Sequence, residues 1–359
     1  MTRVLLVAGA RPNFVKVAPV LRALGAYPKF ETKLVHTGQH YDDAMSKVFF
    51  EELGLPDPDI HLSAGPGTQA RQTAKVMVAF EEVVAAQSPD LVVVAGDVNS
   101  TLACSLVVSK AVVPLAHVEA GLRSHDRSMP EEVNRLVTDS LAQILFTTSS
   151  DANENLLREG HPLESIHLVG NTMIDTLSKH EAAARKRAIR AELGLPPGGY
   201  LLVTLHRPAN VDGPEKLRAI LRALAEAPLP VVFPLHPRTE KTARDAGLSN
   251  LLDKAGATRP LGYLDFLSLQ MSAAVVLTDS GGVQEETTAL GVACLTLREN
   301  TERPVTISHG TNRIIGANPA RILPEVNRVL EEPPSPRERP PMWDGRAGER
   351  IAAVLDRLF

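Results

Sequence analysis

The sequence predicts an α/β protein of two doubly wound domains, each a parallel sheet flanked by helices. Two observations predict it. Short runs of Val, Leu and Ile recur without strict polar–apolar alternation, which suits strands covered on both faces. Amphipathic stretches separate these runs, and strand–helix–strand repetition implies open parallel sheets. The length of 359 residues allows both domains, at roughly 100–200 residues each.

The first set of strands is predicted over 4–8, 34–37, 91–95, 115–118 and 144–147. It fills residues 1–165. A second set over 166–169, 201–205, 231–235, 274–278 and 293–297 fills residues 166–340. Helices are predicted over 15–24, 70–86, 131–142, 214–225 and 283–290. A charged, helix-like stretch over 180–192 and a Pro-Gly turn over 195–199 precede the strong strand at 201–205. Prolines break the chain over 332–336 and 340–341. A last helix within 345–359 aligns Ile351, Val354, Leu355 and Leu358, an apolar stripe expected to pack on the first domain.

Charged residues are 22% and the formal net charge is −4. That balance argues against a nucleic-acid binder, which would show a basic face. Cys104 and Cys294 have no CxxC partner and no His cluster nearby. They read as two buried thiols in a reducing compartment, with no metal site. The N-terminus enters a strand without a signal-peptide pattern. No apolar run reaches the roughly 18 residues of a membrane span. The expected location is the cytoplasm, with no membrane or nucleic-acid partner.

Ligands of such folds bind beyond the carboxyl ends of the strands, where loops and helix N-termini converge. After the first strand, Gly9-Ala10-Arg11-Pro12-Asn13-Phe14-Val15-Lys16 delivers Arg11 and Lys16. They read either as solvated charges or as ligands of an anion. One glycine is not GxGxxG, so no dinucleotide fingerprint is present. Asp97 follows the strand at 91–95, as turn chemistry, a helix cap or a site residue. Glu119, beside His117, ends a buried strand, and a buried charge there favours function. Ser128 to Glu131, with Pro130 between, reads as a capping box. In the second half, two strands end in His206-Arg207 and His236-Pro237-Arg238. Asp279-Ser280-Gly281-Gly282 joins a strand to a helix, and its amides and hydroxyl suit a diphosphate. Glu286, one turn on, could accept from ribose hydroxyls. Ser280 also reads as an ordinary N-cap. Arg298 and Arg303 follow the last strand of this set.

The ordered set of motifs resembles the non-hydrolysing UDP-N-acetylglucosamine 2-epimerase family. The matching pieces are Gly9-Ala10-Arg11-Pro12, Gly38-Gln39-His40, Gly96-Asp97, His117-Val118-Glu119-Ala120-Gly121-Leu122-Arg123 and Pro130-Glu131-Glu132-Val133-Asn134-Arg135. Gly170-Asn171, Thr204-Leu205-His206-Arg207, Asp279-Ser280-Gly281-Gly282-Val283-Gln284-Glu285-Glu286 and Thr301-Glu302-Arg303-Pro304 follow. The resemblance implies a GT-B-like fold with a deep inter-domain cleft, a C-terminal helix returning to the first domain, a homodimer, and neither metal nor nicotinamide cofactor. It implies catalytic roles for Asp97, Glu119, Glu131 and His206. It implies UDP contacts from Arg11, Lys16, Ser280, Gly281, Gly282, Glu286 and Arg303, and a regulatory sugar site near Gln39, Arg207 and His236. Ala209 stands where the family has Glu, so no role of that Glu transfers.

The implied reaction interconverts UDP-N-acetylglucosamine and UDP-N-acetylmannosamine. The C2 hydrogen has no adjacent carbonyl, so UDP leaves first and C2 is then deprotonated to 2-acetamidoglucal. This needs acid–base groups on both ring faces and a site for the departing anion. A hydrolysing epimerase, a GT-B glycosyltransferase and a non-catalytic nucleotide-sugar binder are the competing readings.

Overall fold

The structure, a computed structural model, describes the chain except residues 10, 39–49, 66, 197–198 and 335–337, and except the side chains of Arg11 and Pro12. It divides into two units, Met1–Lys179 with Pro341–Phe359, and His180–Pro340.

The first unit holds β1 (Thr2–Ala8), β2 (Phe30–His36), β3 (Ile60–His61), β4 (Leu91–Ala95), β5 (Leu115–Ala120), β6 (Ile144–Thr147) and β7 (Ile166–Leu168). They form one sheet in the order β3-β2-β1-β4-β5-β6-β7, with every pair parallel. All five residues of β4 are buried, which is why their sequence lacks alternation. The sequence assigns 166–169 to the second sheet. Instead β7 pairs with β6 as the edge of the first, and the first unit runs to Lys179 rather than 165.

The second unit holds β8 (Leu201–Thr204), β9 (Val231–Pro234), β10 (Ala257–Thr258), β11 (Val275–Thr278), β12 (Cys294–Thr296) and β13 (Asn312–Ile314). Their order is β10-β9-β8-β11-β12-β13, again all parallel. Its core joins Leu201, Val203, Leu217, Leu221, Phe233, Leu277 and Leu295. Parallel pairing puts the carboxyl ends of all strands of a sheet along one edge, so the loops read above for chemistry share that edge within each unit.

The last helix, Ala347–Leu358, packs in the first unit against the helix Arg11–Leu24. Ile351, Val354 and Leu355 are buried, whereas Leu358 is 53% exposed and leaves the expected stripe. Asp175 holds the start of this helix, accepting from Ala347 N–H at 3.0 Å and Gly348 N–H at 2.7 Å. A Cβ on Gly348 would lie 2.7 Å from the Pro19 carbonyl, so only glycine permits this approach. Both cysteines are buried and free. Among the described residues no helix is long and apolar enough to cross a membrane.

Candidate active site

In the first unit the site is built around Glu119. It lies at a bulge near the end of β5, where the register with β6 shifts between Val118 and Ala120. Its φ is +74°, left-handed backbone that costs a non-glycine residue roughly 1–2 kcal/mol. The side chain is buried and ion-paired with Lys16, itself buried in the helix Arg11–Leu24. Gly96, with φ +69°, makes room for the pair. A Cβ there would meet Lys16 Nζ at 2.8 Å and Asn13 Nδ2 at 3.2 Å. Asn13 in turn donates to the Ala95 carbonyl at 2.6 Å. A buried charged pair on strained backbone is the kind of arrangement that marks functional sites.

Asp97 is partly exposed and ion-paired with Arg135. Its carbonyl accepts from Asn134 Nδ2 at 2.8 Å. It is not a helix cap: the helix Asn99–Lys110 starts from Val98 with no side-chain cap. Glu131 sits in the first turn of the helix Pro130–Leu141, with Pro130 at the expected first position. The expected capping box does not form. Met129 is the N-cap, and the Ser128 hydroxyl donates instead to Asp126 Oδ1 at 2.6 Å. Glu131 is half-buried, and its side chain makes no hydrogen bond or ion pair among the described residues, which leaves it available for chemistry.

Its neighbour Glu132 has the opposite character. It accepts from Ser124 N–H and His125 N–H at 2.9 Å each, and from Arg135 Nη2 at 2.7 Å. Burial works against its charge, yet these partners hold the carboxyl below the usual range. A second network joins the buried His117, Asp139 and Arg123 to Glu159 at the surface. The sequence pattern alone assigns a role to none of these residues. For Glu132, Arg135 and Asp139 the signal is polar side chains at helical spacing on the buried face of the helix Pro130–Leu141.

In the second unit Asp279 directly follows β11, which pairs with β8, and is wholly buried. It accepts from His206 N–H at 3.1 Å, Arg207 N–H at 3.0 Å and Asn210 Nδ2 at 3.0 Å. Burial opposes its charge, but His206, Asn210 and Arg207 hold its pKa below the usual range. This carboxylate therefore shapes the His206–Asn210 turn. His206 Nδ1 lies 3.2 Å from Asp279 Oδ1 and the ring is 43% exposed. A ring oriented through Nδ1 keeps Nε2 for proton transfer. His236 lies nearby, ring centroids 6.2 Å apart, and caps the helix Pro237–Asp245 through Nδ1. Arg207 Nε donates to the Asp279 carbonyl at 2.9 Å, and Arg238 Nε donates to Asp212 at 2.7 Å.

Ser280 occupies the N-cap of the helix Gly281–Leu290, but its hydroxyl makes no capping bond. The ordinary-cap reading is thereby overturned, and the hydroxyl is not spent on the helix's own N–H groups. Gly281 packs under Arg303: a Cβ would lie 2.6 Å from Arg303 Cζ. Gly282 continues the first turn. Arg303 is buried, 2.9 Å from Glu285 through Nε and paired with Glu302. Burial pushes Glu286 up to about 7, with Tyr263 donating to it at 3.1 Å and Glu285 close by. Gln39 and the side chain of Arg11 lie outside the described residues. Among the described residues no cluster of His, Cys, Asp and Glu could hold a metal ion.

The family model for UDP-N-acetylglucosamine 2-epimerase matches residues 22–356. A Methanocaldococcus jannaschii UDP-N-acetylglucosamine 2-epimerase is 42% identical, covering 98% of each chain. The chain belongs to the UDP-N-acetylglucosamine 2-epimerase family. The crystal structure of the M. jannaschii UDP-GlcNAc 2-epimerase with UDP-GlcNAc and UDP superposes with a TM-score of 0.92, at 40% identity over 99% of this chain and 100% of that one. The fold of this epimerase-family chain is thus GT-B-like. A Pseudomonas aeruginosa UDP-2,3-diacetamido-2,3-dideoxy-D-glucuronate 2-epimerase is 38% identical over 99% of this chain and 100% of its own.

Proposed function

We propose that the chain interconverts UDP-N-acetylglucosamine and UDP-N-acetylmannosamine without releasing free sugar. The observation that carries this reading is Glu119, a buried carboxylate on left-handed backbone, set against Lys16 at a strand end. UDP departs first, held by Arg11, Lys16, Ser280, Gly281, Gly282, Glu286 and Arg303. Cations and helix-start amides stabilise the charge that develops on the leaving diphosphate. Asp97, Glu119, Glu131 and His206 exchange the C2 proton and protect the glucal. UDP then adds back, and protonation from the opposite face gives the epimer. The enzyme works in this reading as a cytoplasmic homodimer, with no cofactor, and Gln39, Arg207 and His236 contact a regulatory sugar.

The P. aeruginosa relative favours one second reading, a diacetamido-glucuronate as the sugar. Incubation with each UDP-sugar alone in deuterium oxide tests both. Expected is UDP-N-acetylmannosamine carrying deuterium at C2, in equilibrium with its precursor. Free N-acetylmannosamine and UDP would mean a hydrolysing enzyme. A product without solvent deuterium would exclude the proton exchange, and turnover of the glucuronate alone would replace the substrate.

A further inference from the structure

One carboxylate, that of Asp139, gathers three groups that bracket Glu119 in sequence. His117 Nδ1 lies 2.6 Å from Oδ1. Gly121 N–H donates to Oδ2 at 3.0 Å, and Arg123 Nη2 lies 2.7 Å from Oδ2. All of these side chains are buried. The Gly121 carbonyl is pinned as well, by Asn155 Nδ2 at 2.9 Å. Gly121 has φ +79°, and a Cβ there would strike the Ala152 carbonyl at 2.5 Å. So both flanks of Glu119 are fixed, while Glu119 itself is held at φ +74°. An unfavourable backbone conformation persists only where its surroundings over-determine it.

The same network reaches the turn that carries a second of this unit's proposed catalytic carboxylates, Asp97. His117 Nε2 lies 2.9 Å from the Gly96 carbonyl. A carbonyl only accepts, so Nε2 carries a hydrogen and donates. Gly96 immediately precedes Asp97 and also makes the space in which Lys16 meets Glu119. The rigid imidazole is therefore a spacer between the end of β5 and the turn after β4.

We propose that Asp139 and His117 are positioning residues, which lock Glu119 into its left-handed conformation and hold the Asp97 turn in register with it. Neither touches the sugar. Their effect passes through the two carboxylates, and this rests on the acid–base roles proposed above. A misplacement of about 1 Å in a reacting group costs about 10²-fold in rate.

Asp139→Asn keeps the size and removes the charge. Expected are a kcat about 10²-fold lower, solvent deuterium exchange at C2 falling in parallel, and a UDP Kd within about twofold of the parent protein. A crystal structure of the variant should show Glu119 leaving positive φ and its contact with Lys16 opening. Two further variants keep the question open to refutation if Asp139→Asn does not fold. His117→Gln can still donate to the Gly96 carbonyl, whereas His117→Asn reaches only Asp139, so the Gln variant should retain more activity. Unchanged Glu119 geometry in Asp139→Asn, or parental kcat in both His117 variants, overturns the proposal. If the parent protein exchanges no C2 proton on any UDP-sugar, the catalytic reading fails, and the Glu119 geometry in the variant still decides the positioning.

Discussion

Glu286 is held near the midpoint of its titration at neutral pH. Burial raises its pKa from 4.5 to about 7. A group raised in the folded state contributes stability below its unfolded pKa and loses it as pH rises through the folded one. Stability should therefore fall between about pH 4.5 and 7 by roughly 3 kcal/mol. Glu286→Gln keeps an acceptor for Tyr263 and removes the titration. Urea unfolding at pH 8 should find the variant more stable than the parent, and at pH 4.5 the two should match. At Glu119 the expectation concerns rate: Glu119→Gln should lower kcat about 10²-fold or more, read by initial rates of UDP-sugar conversion. Glu119 was legible in the sequence because a charge closing a buried strand needs a reason. Glu131 was half legible. Its Ser-x-x-Glu spacing suggested a cap, but Asp126 competes locally for the Ser128 hydroxyl, which no pattern of spacing reveals.

At the scale of elements, the helix Gly281–Leu290 shows what a glycine pair does here. Gly281 is small because Arg303 and Glu302 lie against it, at 2.6 Å and 2.8 Å from where a Cβ would stand. Gly281→Ala should displace Arg303 and weaken UDP binding about tenfold, or ~1.4 kcal/mol, measured by calorimetry. Gly291→Ala at the other end is the control. Its φ is +71° with nothing within 4 Å of a Cβ, so it should cost stability of about 1 kcal/mol and leave UDP affinity intact. The interior strands were legible because burial on both faces writes itself as unbroken Val and Leu. β3, β10 and β13 were not, since two or three residues at or near a sheet edge carry no periodicity. The placement of β7 was misread because a short apolar strand does not say which sheet it joins.

At the scale of the molecule, the two units differ in how the chain builds them. His180–Pro340 is continuous and has its own core. Expressed alone it should unfold cooperatively on heating and still bind UDP. Met1–Lys179 alone lacks Trp343, Ile351 and Leu355, which are 1%, 0% and 0% exposed in the whole chain. It should melt broadly, and a peptide of residues 341–359 should restore a cooperative transition followed by circular dichroism.

The discontinuity also sets a schedule. During translation the first unit is begun first and finished last, because its closing helix emerges after all of His180–Pro340. At about 5–20 residues per second that interval lasts roughly ten to thirty seconds. Through it, the apolar face of the helix Arg11–Leu24 waits uncovered on the ribosome, a nascent surface on which a chaperone has time to sit.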